Sequence, residues 1–155
     1  MRSLWWTFLV ALTIGSCVNK RVYENTMDFN NAYWLADSIK LFDFNIPQAG
    51  SEYNILFNIR NGVEYPHRNV YVHYTISDST NKILDEELRD FQLFHPKSGY
   101  PFGNGSGNIR EHHFDLLIGY EFPYAGRYNI SFEQYMRYDS LPQVYSIGVQ
   151  VEAHE

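Results

Sequence analysis

Cys17 is the residue whose chemistry is most sharply framed by its neighbours, and it is the single cysteine of the 155-residue chain. It closes Ile14-Gly15-Ser16-Cys17, a branched apolar residue and two small ones ahead of a thiol. That is the pattern of a bacterial lipobox: small residues fit the peptidase, and the sulfur is the nucleophile that takes diacylglycerol. The competing reading is a buried cysteine closing an ordinary N-terminal helix. One cysteine excludes an internal disulfide, a thiolate zinc cluster and a redox pair. Six histidines stand at 67, 73, 95, 112, 113 and 154. His112 and His113 are adjacent, so on a strand they point to opposite faces and cannot chelate one ion together. There is no H-E-x-x-H and no calcium loop with alternating acids, so neither a metal nor a cofactor is expected.

Two further stretches have residue types suited to chemistry. In Asp85-Glu86-Glu87, a strand would put Asp85 and Glu87 on one face, where like charges discourage edge pairing more readily than they make an acid/base pair. Gly103-Asn104-Gly105-Ser106-Gly107 lacks the lysine and following helix of a phosphate loop, and Ser106 is not in G-x-S-x-G. It reads as a mobile loop with positive-φ positions, and such loops carry docking contacts. No nucleophile, metal or carboxylate constellation assembles, which argues against an enzyme.

The elements that must position these residues begin after a targeting segment. Arg2 opens the chain and Leu4 to Ile14 is an apolar run, shorter than the roughly 20 residues that span a bilayer. Residues 1–16 are therefore expected as a signal peptide, 17–21 as a lipid-anchored tether and 22–155 as one domain. Cleavage would remove Arg2 and no acid, so 12 basic against 18 acidic residues becomes 11 against 18, a net charge of −7. That balance argues against nucleic acid as a partner. Several acyl chains on Cys17, palmitate among them, at about 0.8 kcal/mol per buried CH₂, make a durable anchor. The tether Val18 to Arg21 reaches about 13 Å at most, and Lys20 and Arg21 suit anionic headgroups.

Beyond the tether the sequence alternates. Tyr53, Ile55, Phe57 and Ile59 alternate with Asn54, Leu56, Asn58 and Arg60, and Val70 to Ile76, Tyr128 to Phe132 and Ile147 to Val151 alternate likewise. Period two is the pattern of half-buried strands. Fainter strands are expected at 21–24, 39–44, 82–91 and 112–118, and a short helix-like stretch at 31–37. Turns are expected at 47–50, Asn61-Gly62, 77–81, 96–107 and 124–126. A composition that is 45% hydrophobic and 17% aromatic also suits sheets. The fold class is all-β: an antiparallel β-sandwich of about eight strands, Ig-like or jelly-roll-like, in a single domain. Gly126-Arg127-Tyr128 suggests a tyrosine corner, with Tyr128 as one more strand tyrosine the alternative.

The ordered set Arg21-Val22-Tyr23-Glu24, Trp34, Asp37-Ser38, Tyr53, Arg60-Asn61, Tyr65-Pro66, Asn69 and Leu84-Asp85 to Leu88 runs along the chain. Gly103-x-Gly105-x-Gly107, Gly126-x-Tyr128, Arg137, Leu141, Val144 and Gly148 continue it. Together with the lipobox this set resembles the gliding-motility lipoprotein family GldH of Bacteroidetes, across the whole mature chain. The resemblance implies a non-catalytic, lipid-anchored component of the gliding and type IX secretion apparatus, without cofactor. Such a protein would act through contacts with other envelope proteins, at the cell membrane or outer membrane and facing the periplasm.

Two polar segments outside the strands, 99–108 and 137–144, are the expected partner-binding surface. Its candidates are Gly103, Gly105, Gly107, Arg137 and Leu141. The Arg137 guanidinium suits a carboxylate, across an interface or within its own fold. A competing function is glycan capture by Trp34, Tyr65, Tyr71, Tyr100 and Tyr124, unless these rings pack in the core. The sequence after Cys17 lacks the acidic cluster that resembles a surface-export signal. Finally, Asp37-Ser38-Ile39, Asp78-Ser79-Thr80 and Asp139-Ser140-Leu141 resemble the O-glycosylation sequence of exported proteins in that phylum, marking Ser38, Ser79 and Ser140. Ordinary Asp-Ser turn chemistry is the alternative.

Overall fold

The computed structural model describes residues 20–154, so the lipobox and Cys17 lie outside the described residues. The strands in order are β1 (Arg21–Asp28), β2 (Tyr33–Leu35), β3 (Lys40–Ile46), β4 (Glu52–Gly62) and β5 (Asn69–Asp78). Then come β6 (Ile83–Gln92), β7 (Ile109–Glu121), β8 (Gly126–Gln134), β9 (Ser140–Pro142) and β10 (Val144–Ala153). Among the described residues no helix is long and apolar enough to cross a membrane.

Two four-stranded antiparallel sheets face each other, in the orders β1-β10-β4-β7 and β3-β8-β5-β6, with β2 and β9 forming a small ribbon. Leaving out that ribbon, successive strands mostly alternate between the sheets, as in a jelly roll. The expected period-two segments are the central strands. In β5 the inward residues Val70, Val72, Tyr74 and Ile76 are all buried, while Tyr71, His73 and Thr75 face outward with partial exposure. Between the sheets, Phe91, Phe57, Phe132 and Phe42 form a ladder with ring centroids 4.9, 4.8 and 5.8 Å apart. Each buried phenylalanine contributes about 1.5–3 kcal/mol.

Two expectations are corrected. The helix-like stretch at 31–37 is instead a single 3-10 turn at Asn30–Ala32 followed by β2. Asn31 and Ala32 have φ of 63° and 55°, outside the right-handed helical region. Trp34, fully buried and opposite Leu141, is held as a strand residue instead. Asn61-Gly62 is not a turn but the end of β4, opposite Arg110 and Ile109. Asn61 is fully buried there, and a Cβ on Gly62 would lie 2.1 Å from the Gln143 side chain.

The pairing registers give the sandwich two distinct ends. Arg21 at the start of β1 lies opposite Glu152 near the end of β10, and the Ala153 N–H donates to the Lys20 carbonyl at 2.8 Å. This end, called the tethered end after the tether expected at 17–21, also holds the turns at 47–51, 79–82 and 122–125. The distal end, at the other extremity of the strands of the two large sheets, holds 29–39, 63–68, 93–108 and 135–143, the β2–β9 ribbon among them. An eleven-residue strand such as β4 separates them by about 36 Å.

Candidate functional site

Tight local chemistry closes the tethered end. The Tyr128 hydroxyl donates to the Tyr124 carbonyl at 2.6 Å and accepts from the Tyr124 N–H at 3.2 Å. Since β7 and β8 belong to different sheets, this is a tyrosine corner at a crossover. In the β5–β6 turn, Asp78 Oδ1 accepts from the Thr80 N–H, the Thr80 hydroxyl and the Lys82 N–H at 2.8, 2.7 and 3.0 Å. The Thr80 hydroxyl leads these bonds in holding the Asp78 carboxyl down at about 2.

At the distal end the glycine loop is pinned rather than free. Asn104 and Glu111 exchange both backbone hydrogen bonds, at 2.9 and 2.7 Å, and Arg110 Nη1 donates to the Gly107 carbonyl at 2.9 Å. Gly105 and Gly107 have φ of 149° and 66°, as such a loop requires. Gly103 has a different reason. A Cβ there would lie 2.6 Å from the Glu111 carbonyl oxygen and 2.7 Å from His112 Nε2. His112 is 3% exposed, and its Nε2 has no hydrogen-bond partner among the described residues. Burial, aided by the neighbouring His113 charge, pushes its pKa down to about 4. His113 points the other way, to Asn58 Oδ1 at 2.9 Å, so the adjacent pair is split across the strand. Among the described residues no three His, Cys, Asp or Glu side chains gather as a metal site.

Arg137 lies elsewhere on the distal end. It is exposed and lines an open cleft of about 460 Å³ with Tyr71, Leu88, Tyr135, Met136 and Tyr138. The cleft around Gly103 and His112 is separate and smaller, about 200 Å³. The two segments expected to form one docking surface thus line different clefts. Leu141, expected beside Arg137 on that surface, is instead fully buried against Trp34. Tyr135 and Tyr138 were not legible as site residues, because they follow β8 outside any alternation; the cluster Tyr135-Met136-Arg137-Tyr138 was the available signal.

The five rings of the glycan reading do not share a face. Trp34 and Tyr65 are 0% and 5% exposed and belong to the core, whereas Tyr100 is 75% exposed. Ser38 and Ser140 are half-buried neighbours around the β2–β9 ribbon, where the Ala36 N–H donates to the Asp139 carbonyl at 2.9 Å. Ser79 is exposed at the opposite end, in the turn that Asp78 closes.

Comparison with known proteins accounts for most of the chain. The family model described as GldH lipoprotein matches residues 21–151. A "Gliding motility lipoprotein GldH homolog" from Christiangramia forsetii is 28% identical over 140 residues, 88% of this chain and 84% of the relative. The "Gliding motility lipoprotein GldH" of Flavobacterium johnsoniae is 24% identical over 151 residues, covering 93% of this chain and 92% of the relative. Among solved structures, the VP2 subviral particle of infectious bursal disease virus is similar at a TM-score of 0.45 and 11% identity, over 85% of this chain and 32% of that one. The K1 cleaved adhesin domain of Lys-gingipain from Porphyromonas gingivalis is similar at 0.39 and 12%, over 85% and 84%. At TM-scores below 0.5 these two likenesses carry no functional weight.

Proposed function

We propose that this chain, which belongs to the GldH lipoprotein family, is a non-catalytic envelope component of the gliding-motility and type IX secretion apparatus. It acts by holding another protein, not by turning over a substrate. The observation that carries this reading is the family match along residues 21–151, which spans nearly the whole domain. The strand directions support it physically. Lipid on Cys17 would hold the Arg21 end at the membrane and leave the distal loops and clefts facing away, where a second protein can reach them.

The glycan-binding alternative loses its platform, because two of its five rings lie in the core. The anchoring role is tested by Cys17→Ala. The variant is expected to remain unprocessed and to leave the membrane fraction. It should also reproduce the gliding and secretion phenotype of the gene deletion, although the folded domain is unchanged. A Cys17→Ala protein that is processed normally and stays in the membrane would refute the anchor.

A further inference from the structure

We infer that the cleft of Tyr71, Leu88, Tyr135, Met136, Arg137 and Tyr138 is a preformed docking site for a partner-protein segment that pairs an apolar side chain with a carboxylate. This inference rests on the reading of the protein as a binding component and identifies the chemistry of what it binds. Four large apolar side chains stand open around one cleft: Tyr71 at 40%, Leu88 at 49%, Tyr135 at 52% and Tyr138 at 55% exposure. Tyrosine, methionine and arginine are the residue types enriched where interfaces concentrate their energy.

The cleft is built rather than improvised. The Tyr135 N–H donates to the Tyr71 carbonyl at 2.8 Å. Gln134, 3% exposed, uses its amide as a staple for the turn that follows. Its Nε2 donates to the Tyr138 carbonyl at 2.9 Å, and its Oε1 accepts from the Met136 N–H at 2.8 Å. The His67 ring lies 4.7 Å from that of Tyr138, and the His73 ring 5.3 Å from that of Tyr135. A wall already held in place loses little conformational freedom on binding.

Charge names the other half of the ligand. The Arg137 guanidinium lines the cleft with no hydrogen-bond or ion-pair partner among the described residues. An exposed guanidinium offers a carboxylate two parallel hydrogen bonds. A tether of residues 17–21 is too short to be the occupant. It joins the domain at Lys20, which pairs with Ala153 at the other end, about 36 Å away. A second copy is disfavoured by the excess of 18 acidic over 12 basic residues, which makes like chains repel.

The test uses the full-length acylated protein in lipid nanodiscs, panned against a displayed library of random twelve-residue peptides. The expected result is enrichment of peptides with Asp or Glu within about four positions of an aromatic or aliphatic residue. Arg137→Glu should weaken those peptides at least tenfold and shift enrichment to Lys- or Arg-bearing ones, and Tyr138→Ser should weaken both sets. Both variants alter exposed side chains, so each should melt within about 2 °C of the parent. No enrichment, enrichment without acidic residues, or binding indifferent to Arg137→Glu would overturn the site. So would a dimer lost on Arg137→Glu, or glycan-array binding lost on Tyr138→Ser without peptide binding. If envelope partners copurify with Arg137→Glu but not with Cys17→Ala, the cleft is wrong and the tethered role stands. If they copurify equally with both and Cys17→Ala still supports gliding and secretion, the role itself fails.

Discussion

At the tethered end the strands are joined by turns of four or five residues, two of them closed by a buried side chain, Asp78 or Tyr128. At the distal end the chain wanders through 63–68, 93–108 and 135–143, and several of its large side chains, Tyr100, Phe102, Tyr135 and Tyr138, stay open to solvent. Local polar chemistry fixes the first end. The second is fixed by plugs and staples reaching up from the core: Trp34 beneath the β2–β9 ribbon, His112 beneath Gly103 and Gln134 beneath the arginine cleft. One fold can thus be tightly braced at one end and varied at the other, because loops on a firm scaffold are free to differ.

The comparison breaks most visibly if the distal plugs are removed. Trp34→Ala empties a fully buried site and should cost about 3–5 kcal/mol, lowering the melting temperature by roughly 10 °C or more. Hydrogen exchange should then rise first in the β2–β9 ribbon and leave the Tyr128 corner protected. Smaller changes weigh the ends against each other. Gly103→Ala forces a Cβ against backbone and the His112 ring, at about 1–3 kcal/mol. Tyr128→Phe strands the Tyr124 N–H and carbonyl, for a loss of about 1–3 kcal/mol. Calorimetry on both variants ranks the two braces, and a Tyr128→Phe protein as stable as the parent would remove the tethered end's claim to rigidity.

Acid separates the ends by their pH windows. His112 stays neutral when folded, with a pKa near 4 against 6.5 when exposed. The unfolded chain therefore binds the extra proton, and stability complete above about pH 6.5 is lost as pH falls toward 4, at a slope of up to about 1.4 kcal/mol per unit. Asp78 has the opposite dependence on charge but the same direction. Its carboxylate is favoured by folding, so its contribution is complete above the ordinary 3.8 and lost as pH falls through about 2. Urea titrations across pH should show two steps, with His112→Gln erasing the upper and Asp78→Asn the lower.

The sheets were legible because alternation is a local signal: every segment from Tyr53 to Val151 with clean period two became a strand. The tyrosine corner was legible for a similar reason, since Gly126 and Tyr128 lie within three residues. The β2–β9 ribbon was not. Three residues are too few to show a period, and Trp34 forms a strand because Leu141, more than a hundred residues later, lies opposite it. The candidate site was half legible. Arg137 stood out by its chemistry, but Leu141 looked no different from a surface leucine until the ribbon buried it. The cleft draws Tyr71 and Leu88 from β5 and β6, and no spacing within the sequence announces that meeting.

The pairing of β1 with β10 also sets how the molecule bears load. If lipid holds one end and a moving partner the other, tension enters at Arg21 along the axis of β1. The ladder from Arg21↔Glu152 to Asp28↔Ser146 runs parallel to that pull, and its hydrogen bonds lie across it. They are therefore sheared together instead of being unzipped one at a time. The same strand hung from its distal end would peel. A chain fastened this way would resist a steady drag with its ladder bonds acting in concert.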